Sequence, residues 1–311
     1  MSQSPVKLGT RKSQLALYQA KLVQSLLQAE VQLVKVTTTG DNNQTKAFVA
    51  DRDKKDWIKE IEDLLMLGEV DFAVHSSKDV PVDIRPETRL LPLTSRASPL
   101  DTLVVKSGKK EIVEASTGGQ VLALMDSGAC VGTSSVRRRA QVLSQRSDLV
   151  VSELRGNVPT RLQKLDGGAE FDAIILAAAG LERLGLFDES RMFNFTADEM
   201  IPPVNQGILV AQYLRSRDDI AELLSPLAEG QTHCAWQAER SVIDKIEADC
   251  GSAVGVFAAY ESGVLSLHAA VFSSDGEKIL KAHAEGDPRD AKALGAKVGE
   301  LLLAQGAKDY L

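Results

Sequence analysis

The apolar pattern in the first quarter of the chain keeps switching between short strand-like runs and helical spacing, and this alternation restricts the fold more than any other feature. VKLGT reads as a strand. In SQLALYQAKLVQSLL, Leu15, Leu22 and Leu26 recur near helical spacing, and Ser13 stands where an N-cap belongs. VQLVKVTTT reads as a second strand. KKDWIKEIEDLLML sets Trp57, Ile58, Ile61, Leu64 and Leu65 on one helical face, and DFAVHSS returns to strand. The order βαβαβ predicts a parallel sheet covered by helices, since parallel neighbours need a crossover long enough to hold one.

The pattern recurs after a break at RASPLD. DTLVV, ACVGTSS, LVVSELRG and AIILAAAG read as strands, with VRRRAQVLSQ and VPTRLQKL as helices between them. Pro202-Pro203 marks a further boundary, because proline continues neither element well. Beyond about residue 230 the grammar changes: a helix around AWQAERSVIDKI, then VGVFAAY, then GVLSLHAAVF with Leu265, Leu267, Ala269 and Val271 alternating. A Ser-Asp-Gly turn, EKILKAHA and a last helix complete a small antiparallel α+β domain. At 311 residues the chain is longer than one core usually supports, which agrees with two or three domains.

Four strand-to-helix junctions carry a base, most of them beside a hydroxyl: GTRKS with Arg11 and Ser13, HSSKD with Lys78 and Asp79, GTSSVRRR with Ser135, Arg137 and Arg138, and LRGNVPTR with Arg155 and Arg161. In open α/β sheets these junctions lie at the carboxyl ends of the strands, where ligands bind and helix N-termini favour anions. The bases are therefore expected to converge on one cleft. On the helix after GTSS, the spacing puts Val136, Ala140 and Leu143 on an apolar stripe, with Arg137 and Arg138 away from it and Arg139 nearer to it. A basic run is often a solvated face, and on a helix it can also read nucleic acid. The chain, however, carries 36 Lys+Arg against 43 Asp+Glu, and no aromatics interleave the cluster. No GxxxxGK[ST] or GxGxxG follows a strand to suggest a phosphate loop, whereas guanidinium forks suit a ligand bearing several carboxylates.

Asp79 follows Lys78 at a strand end and precedes Val80-Pro81, so it suits either acid-base work or a simple turn. Cys250, in EADCGSAVG, lies between a helix and the first strand of the last domain; Cys130 and Cys234 read as packing residues. Three cysteines without CxxC and four histidines without HEXXH argue against a disulfide scaffold or a metal enzyme. No run approaches the ~20 apolar residues of a membrane span, and the first residues hold no signal-like stretch, so a cytoplasmic protein is expected.

Taken in order, GTRKSQLAL, AVHSSKDVP, VGTSSVRRRAQ, LRGNVPTRLQKL, DAIILAAAGLERLG and DCGSAVG resemble the porphobilinogen deaminase (hydroxymethylbilane synthase) family over essentially the whole chain. The resemblance implies an α/β fold of two periplasmic-binding-protein-like (type II) domains plus a small C-terminal α+β domain. The implied division is 1–100 with 201–227, then 101–200, then 228–311. It implies a transferase that condenses four porphobilinogen molecules, releasing ammonia, onto a dipyrromethane cofactor held by a thioether to Cys250, and then releases linear hydroxymethylbilane. Asp79 falls on the catalytic position. Lys78, Ser135, Arg137, Arg138 and Arg155 fall on the cofactor side. Arg11, Ser13, Arg161, Arg183 and Gln206 fall on the substrate side, with Lys54 and Lys55 in the mobile-loop region. A cytoplasmic monomer without metal, nucleic-acid or membrane partner is implied. Each porphobilinogen brings an acetate and a propionate, which explains a lining of fixed cations.

The sequence departs from the family pattern in places. Gln14 stands where proline is common, DRDKKDW has no glycine, Gly251-Ser252-Ala253 replaces bulkier residues and a proline, and Asn205 replaces a glycine. These changes bear on loop mobility and on the rigidity of the cofactor loop. From the residues alone, a solute-binding protein with two lobes around an anion site is the competing reading. An export signal would favour it, and a third domain presenting a cysteine speaks against it.

Overall fold

The computed structural model describes residues 4–38, 58–106, 115–249 and 251–311. The chain divides into two compact units, residues 1–97 with 207–236 and residues 98–206 with 237–311.

In the first unit, β1 (Val6–Arg11), β2 (Val31–Val36) and β3 (Phe72–Ser76) are parallel, joined through the helices Gln14–Leu26 and Lys59–Met66. The sheet is not parallel throughout, as the alternation predicted. β10 (Leu209–Leu214) inserts antiparallel between β3 and β4 (Thr88–Leu93), giving the order β2-β1-β3-β10-β4. Because β10 comes from much later in the chain, no crossover helix dictates its direction. β4, TRLLPL, went unread because Pro92 breaks a strand pattern; it is tolerated since β4 lies at the sheet edge, where a missing N–H costs least. One sheet face packs Leu8, Phe72, Val74, Leu209 and Ala211 with Ala20 and Val23, and the other packs Ile58, Val80, Ile208 and Val210. The helix after β1 buries Gln19, Ala20 and Val23, while the expected Leu26 is exposed.

The second unit repeats the arrangement. β5 (Asp101–Val105), β6 (Cys130–Gly132), β7 (Val150–Ser152), β8 (Ala173–Ala177) and β9 (Met192–Asn194) form a sheet of order β7-β6-β8-β5-β9. β6 runs parallel to β7 and β8, and β5 runs antiparallel to β8 and β9. Both sheets thus share one order, second, first, third, inserted, fourth, as two domains of the implied α/β kind require. The expected strands shorten: LVVSELRG keeps only Val150–Ser152, and AIILAAAG turns at Ala178 into the helix Ala178–Arg183.

Three antiparallel strands, β11 (Val254–Glu261), β12 (Val264–Phe272) and β13 (Ile279–Gly286), form the small C-terminal sheet. Leu265, Leu267, Ala269 and Val271 are all buried, and the helix Ala291–Ala304 packs on β12 and β13. Gly295 lets that helix approach the helix Gly230–Ile246, since a Cβ there would sit 2.2 Å from Ala238 O. Ala270 and Phe272 cluster instead with Ala140, Ala253 and Ile201, so alternate residues of β12 are buried too. Among the described residues no helix is long and apolar enough to cross a membrane.

Candidate anion-binding and acid-base site

The first unit brings two of the four junctions together. β1 ends at Arg11, and Ser13 caps the following helix, its Oγ accepting from the Ala16 N–H at 3.3 Å. Buried Thr10 donates its hydroxyl to Ala16 O at 3.2 Å, which pins the turn carrying Arg11. β3 passes directly into one 3-10 turn, Ser77–Asp79. Ser77 is buried: its N–H donates to Ile208 O at 2.9 Å and its Oγ accepts from Trp236 Nε1 at 3.0 Å. Half-buried Lys78 and Asp79 therefore project from a turn anchored through the preceding residue. Arg11, Ser13, Gln19, His75, Ser76 and Asp79 line one recess, with Leu15, Ala16, Ile58 and Val74 as its apolar wall.

Two of these residues, Gln19 within the helix and His75 at the head of HSSKD, carried no sequence signal of their own. Gln19, buried on the helix, donates through Nε2 to Ser76 Oγ at 2.8 Å. His75 is 6% exposed, and burial together with the nearby Arg11 charge pushes its imidazole down to about 4. Gln212 and Asp79 oppose that shift without reversing it. His75 Nε2 has no hydrogen-bond partner of normal geometry, although Gln212 lies close enough to favour the charged ring. At neutral pH the recess therefore holds a neutral imidazole beside a guanidinium and a carboxylate.

In the second unit, Ser135 caps the helix Val136–Gln145, its Oγ accepting from the Arg138 N–H at 3.4 Å. The expected faces of this helix are corrected. Val136 is 40% exposed, and the buried residues are Arg137, Arg138, Ala140, Gln141 and Val142. Arg139, expected nearer the apolar stripe, is exposed and donates through Nη1 to Val151 O at 2.7 Å. The cause is Asp101, wholly buried at the start of β5. Its Oδ2 accepts from Arg137 Nη2 at 2.5 Å. Its Oδ1 accepts from Arg138 Nη2 at 2.7 Å, Arg138 Nε at 3.2 Å and Gln206 Nε2 at 3.0 Å. Burial alone would raise this carboxyl, but the two guanidiniums and the amide outweigh it and hold it far below the usual carboxylate range. Burial pulls the Arg137 guanidinium down from its ordinary value, with Asp101 opposing. A lone charged residue opening the apolar strand DTLVV was the signal for this hub, and sequence reasoning passed over it.

The remaining predicted residues take the following places. Arg155 pairs with Glu153, its Nε donating to Glu153 Oε1 at 2.5 Å, while its Nη1 is buried without a partner. Gly156 adopts φ +120°, which a side chain would resist. Its carbonyl accepts from Arg161 Nε at 2.7 Å, and Arg161 Nη2 reaches Ser134 Oγ at 3.5 Å, joining the third and fourth junctions. Half-buried Arg183 ends the helix Ala178–Arg183. Buried Gln206 donates through Nε2 to Pro99 O at 2.7 Å and Leu100 O at 3.2 Å as well as to Asp101. Asn205 explains its own departure from glycine: its φ is +60°, a region that asparagine tolerates better than most residues, and its N–H donates to buried Glu239 at 2.5 Å. Asp249 Oδ1 accepts from Gly251 N–H and Ser252 Oγ, both at 2.8 Å, so side-chain bonds close this turn where the family pattern uses bulk and proline. Cys250, Lys54 and Lys55 lie outside the described residues.

Among the described residues, two buried N–H groups without a partner, Arg137 Nε and Arg155 Nη1, belong to the residues predicted on the cofactor side. Such donors lose their hydration on burial and gain most from a carboxylate acceptor, so the donor set suits a polycarboxylate ligand such as a dipyrromethane.

A family model described as "Porphobilinogen deaminase, dipyromethane cofactor binding domain" matches residues 6–222, and one described as "Porphobilinogen deaminase, C-terminal domain" matches residues 234–304. The porphobilinogen deaminase of Syntrophobacter fumaroxidans is 38% identical over 316 residues, covering 100% of this chain and 98% of the relative. That of Neisseria meningitidis serogroup A is 37% identical over the same length, covering 100% of this chain and 97% of the relative. Among solved structures, a Brucella ovis periplasmic binding protein with glutathione bound is similar at 12% identity and a TM-score of 0.41, over 78% of this chain and 69% of that one.

Proposed function

The chain belongs to the porphobilinogen deaminase family, and we propose that it joins four porphobilinogen molecules head to tail, with loss of ammonia, for tetrapyrrole biosynthesis, using Asp79 as its acid-base group. The observation that carries this reading is the recess where Arg11, Ser13 and Asp79 meet at the carboxyl ends of two parallel strands. Ammonia departs with the electron pair of its C–N bond and leaves an electron-poor methylene-pyrrole cation on the substrate. The Asp79 carboxylate, close to the pyrrole N–H, offsets that positive charge and moves the proton lost when the new C–C bond forms. Arg11 and Ser13 grip the substrate carboxylates, with Arg161, Arg183, Gln206, Lys54 and Lys55 completing the substrate side.

The dipyrromethane, when bound, supplies the free pyrrole carbon onto which units are added. Cys250 holds it as a thioether from the domain spanning 228–311, while the domains 1–100 with 201–227 and 101–200 contribute the cations. Lys78, Ser135, Arg137, Arg138 and Arg155 form the cluster around its acetate and propionate groups, each charge-assisted hydrogen bond contributing about 1.5 to 3 kcal/mol where water is excluded. The protein works as a cytoplasmic monomer on a small-molecule substrate, without a nucleic-acid or membrane partner. Denaturing intact-mass measurement tests the cofactor: active wild type should carry the mass of a dipyrromethane, and Cys250→Ser should lose it. Active protein at the bare sequence mass would overturn the assignment.

A further inference from the structure

The arginine pair at the start of the helix Val136–Gln145 is not two equivalent anion grips. Arg138 spends its Nε/Nη2 edge on Asp101 Oδ1, and its Nη1 donates to Ile175 O at 2.7 Å. The edge with which arginine makes a bidentate carboxylate contact is thus already filled from within the protein. Arg137 is turned the other way. Its two Nη atoms are held by Asp101 Oδ2 and by Ile201 O, each at 2.5 Å, and its Nε is the buried donor without a partner. Two guanidiniums sharing one ionised carboxylate leave the cluster with one net positive charge rather than two. Gln206 completes the clamp by tying Asp101 to the backbone at Pro99 and Leu100.

We propose that Asp101 is a positioning residue that divides the labour of this pair, fixing Arg138 as an internal counter-ion and presenting Arg137 Nε as the donor to one carboxylate of the bound ligand. This rests on the cofactor reading above. It revises that reading at one residue: of the two arginines placed around the cofactor, Arg137 makes the ligand contact, and Arg138 stays within the cluster as the counter-ion of Asp101, with Asp101 and Gln206 aiming its neighbour.

Two double variants test the division without unbalancing the buried charge. Asp101→Asn/Arg138→Gln and Asp101→Asn/Arg137→Gln both keep one net positive charge and differ only in which guanidinium survives. The readouts are the covalent adduct fraction by denaturing intact mass, the thermal midpoint, and KM against kcat for porphobilinogen. The variant lacking Arg137 should carry at least about fivefold less adduct and show at least about tenfold higher KM than the variant lacking Arg138, at matching midpoints. Should the doubles not fold, single lysine replacements carry the same contrast. Arg138→Lys keeps the charge that Asp101 needs and should exceed Arg137→Lys in adduct by about fivefold, because lysine cannot supply the fixed Nε–H. Equal adduct and equal KM in either pair would overturn the division of roles. Active wild type without any adduct would instead overturn the cofactor reading itself.

Discussion

Asp79 and Asp101 are carboxylates set among arginines in the two α/β sheets, and their surroundings give them opposite tasks. Asp79 stands half-buried on a 3-10 turn at the rim of a recess, with Arg11 across the same space. Asp101 is wholly buried in a central strand, shared by two guanidiniums and an amide. The difference teaches that positive charge near a strand end is not by itself a measure of ligand-binding capacity. In the second sheet part of that charge is neutralised from inside by Asp101, whereas in the first Arg11 lines a recess together with the carboxyl of Asp79.

The comparison breaks most sharply at its buried member. Asp101→Ala leaves two buried guanidiniums without their counter-ion and should destabilise the fold by about 3 to 5 kcal/mol, seen as a lower denaturation midpoint. A loss below about 1 kcal/mol would mean that the pair reaches water. Asp79→Asn should do the reverse, leaving the midpoint nearly unchanged while turnover falls by about a hundredfold or more. Near-normal turnover would remove Asp79 from the chemistry.

His75 sharpens the contrast through pH. Its folded value near 4 lies below the ordinary 6.5, so the unfolded chain binds a proton before the folded one does. Its contribution to stability is therefore complete above about pH 6.5, falls as the pH drops towards 4, and amounts to about 2 kcal/mol lost by pH 5. Melting His75→Gln and wild type between pH 7.5 and 5 checks this: the variant should lose that much less, and parallel curves would contradict it. Asp101 contributes no such slope in this range, because its carboxyl stays ionised until far lower pH. The smallest effect belongs to Ser13→Ala, which removes the N-cap beside Arg11 and should cost about 1 kcal/mol of stability. Because Ser13 is also assigned a grip on the substrate carboxylates, KM for porphobilinogen should rise as well, and an unchanged KM would limit the Ser13 hydroxyl to the cap.

Much of the fold was legible because local periodicity records local structure. Ser13 was readable as a cap, DTLVV is β5 residue for residue, and VRRRAQVLSQ is the helix Val136–Gln145. What escaped depends on partners distant in the chain. β10 pairs with strands well over a hundred residues earlier, and the edge strand β4 carries a proline that hides it. Among site residues, the junction motifs pointed to Arg11, Lys78, Asp79, Arg137, Arg138, Arg155 and Arg161. Gln19 and His75 gave no sign, since a buried glutamine or histidine becomes informative only when its neighbours are known.

By itself the sequence determined the repeated α/β grammar, the small antiparallel domain that follows it, and the placing of bases and hydroxyls at strand ends, because hydrophobic period and helix capping act over a few residues. Only the tertiary structure decided which arginines face outward and which are already neutralised. That choice depends on Asp101, brought by β5 beneath a helix that begins 35 positions later, and a charge's role depends on the dielectric and the counter-charge within a few ångströms rather than on its place in the chain.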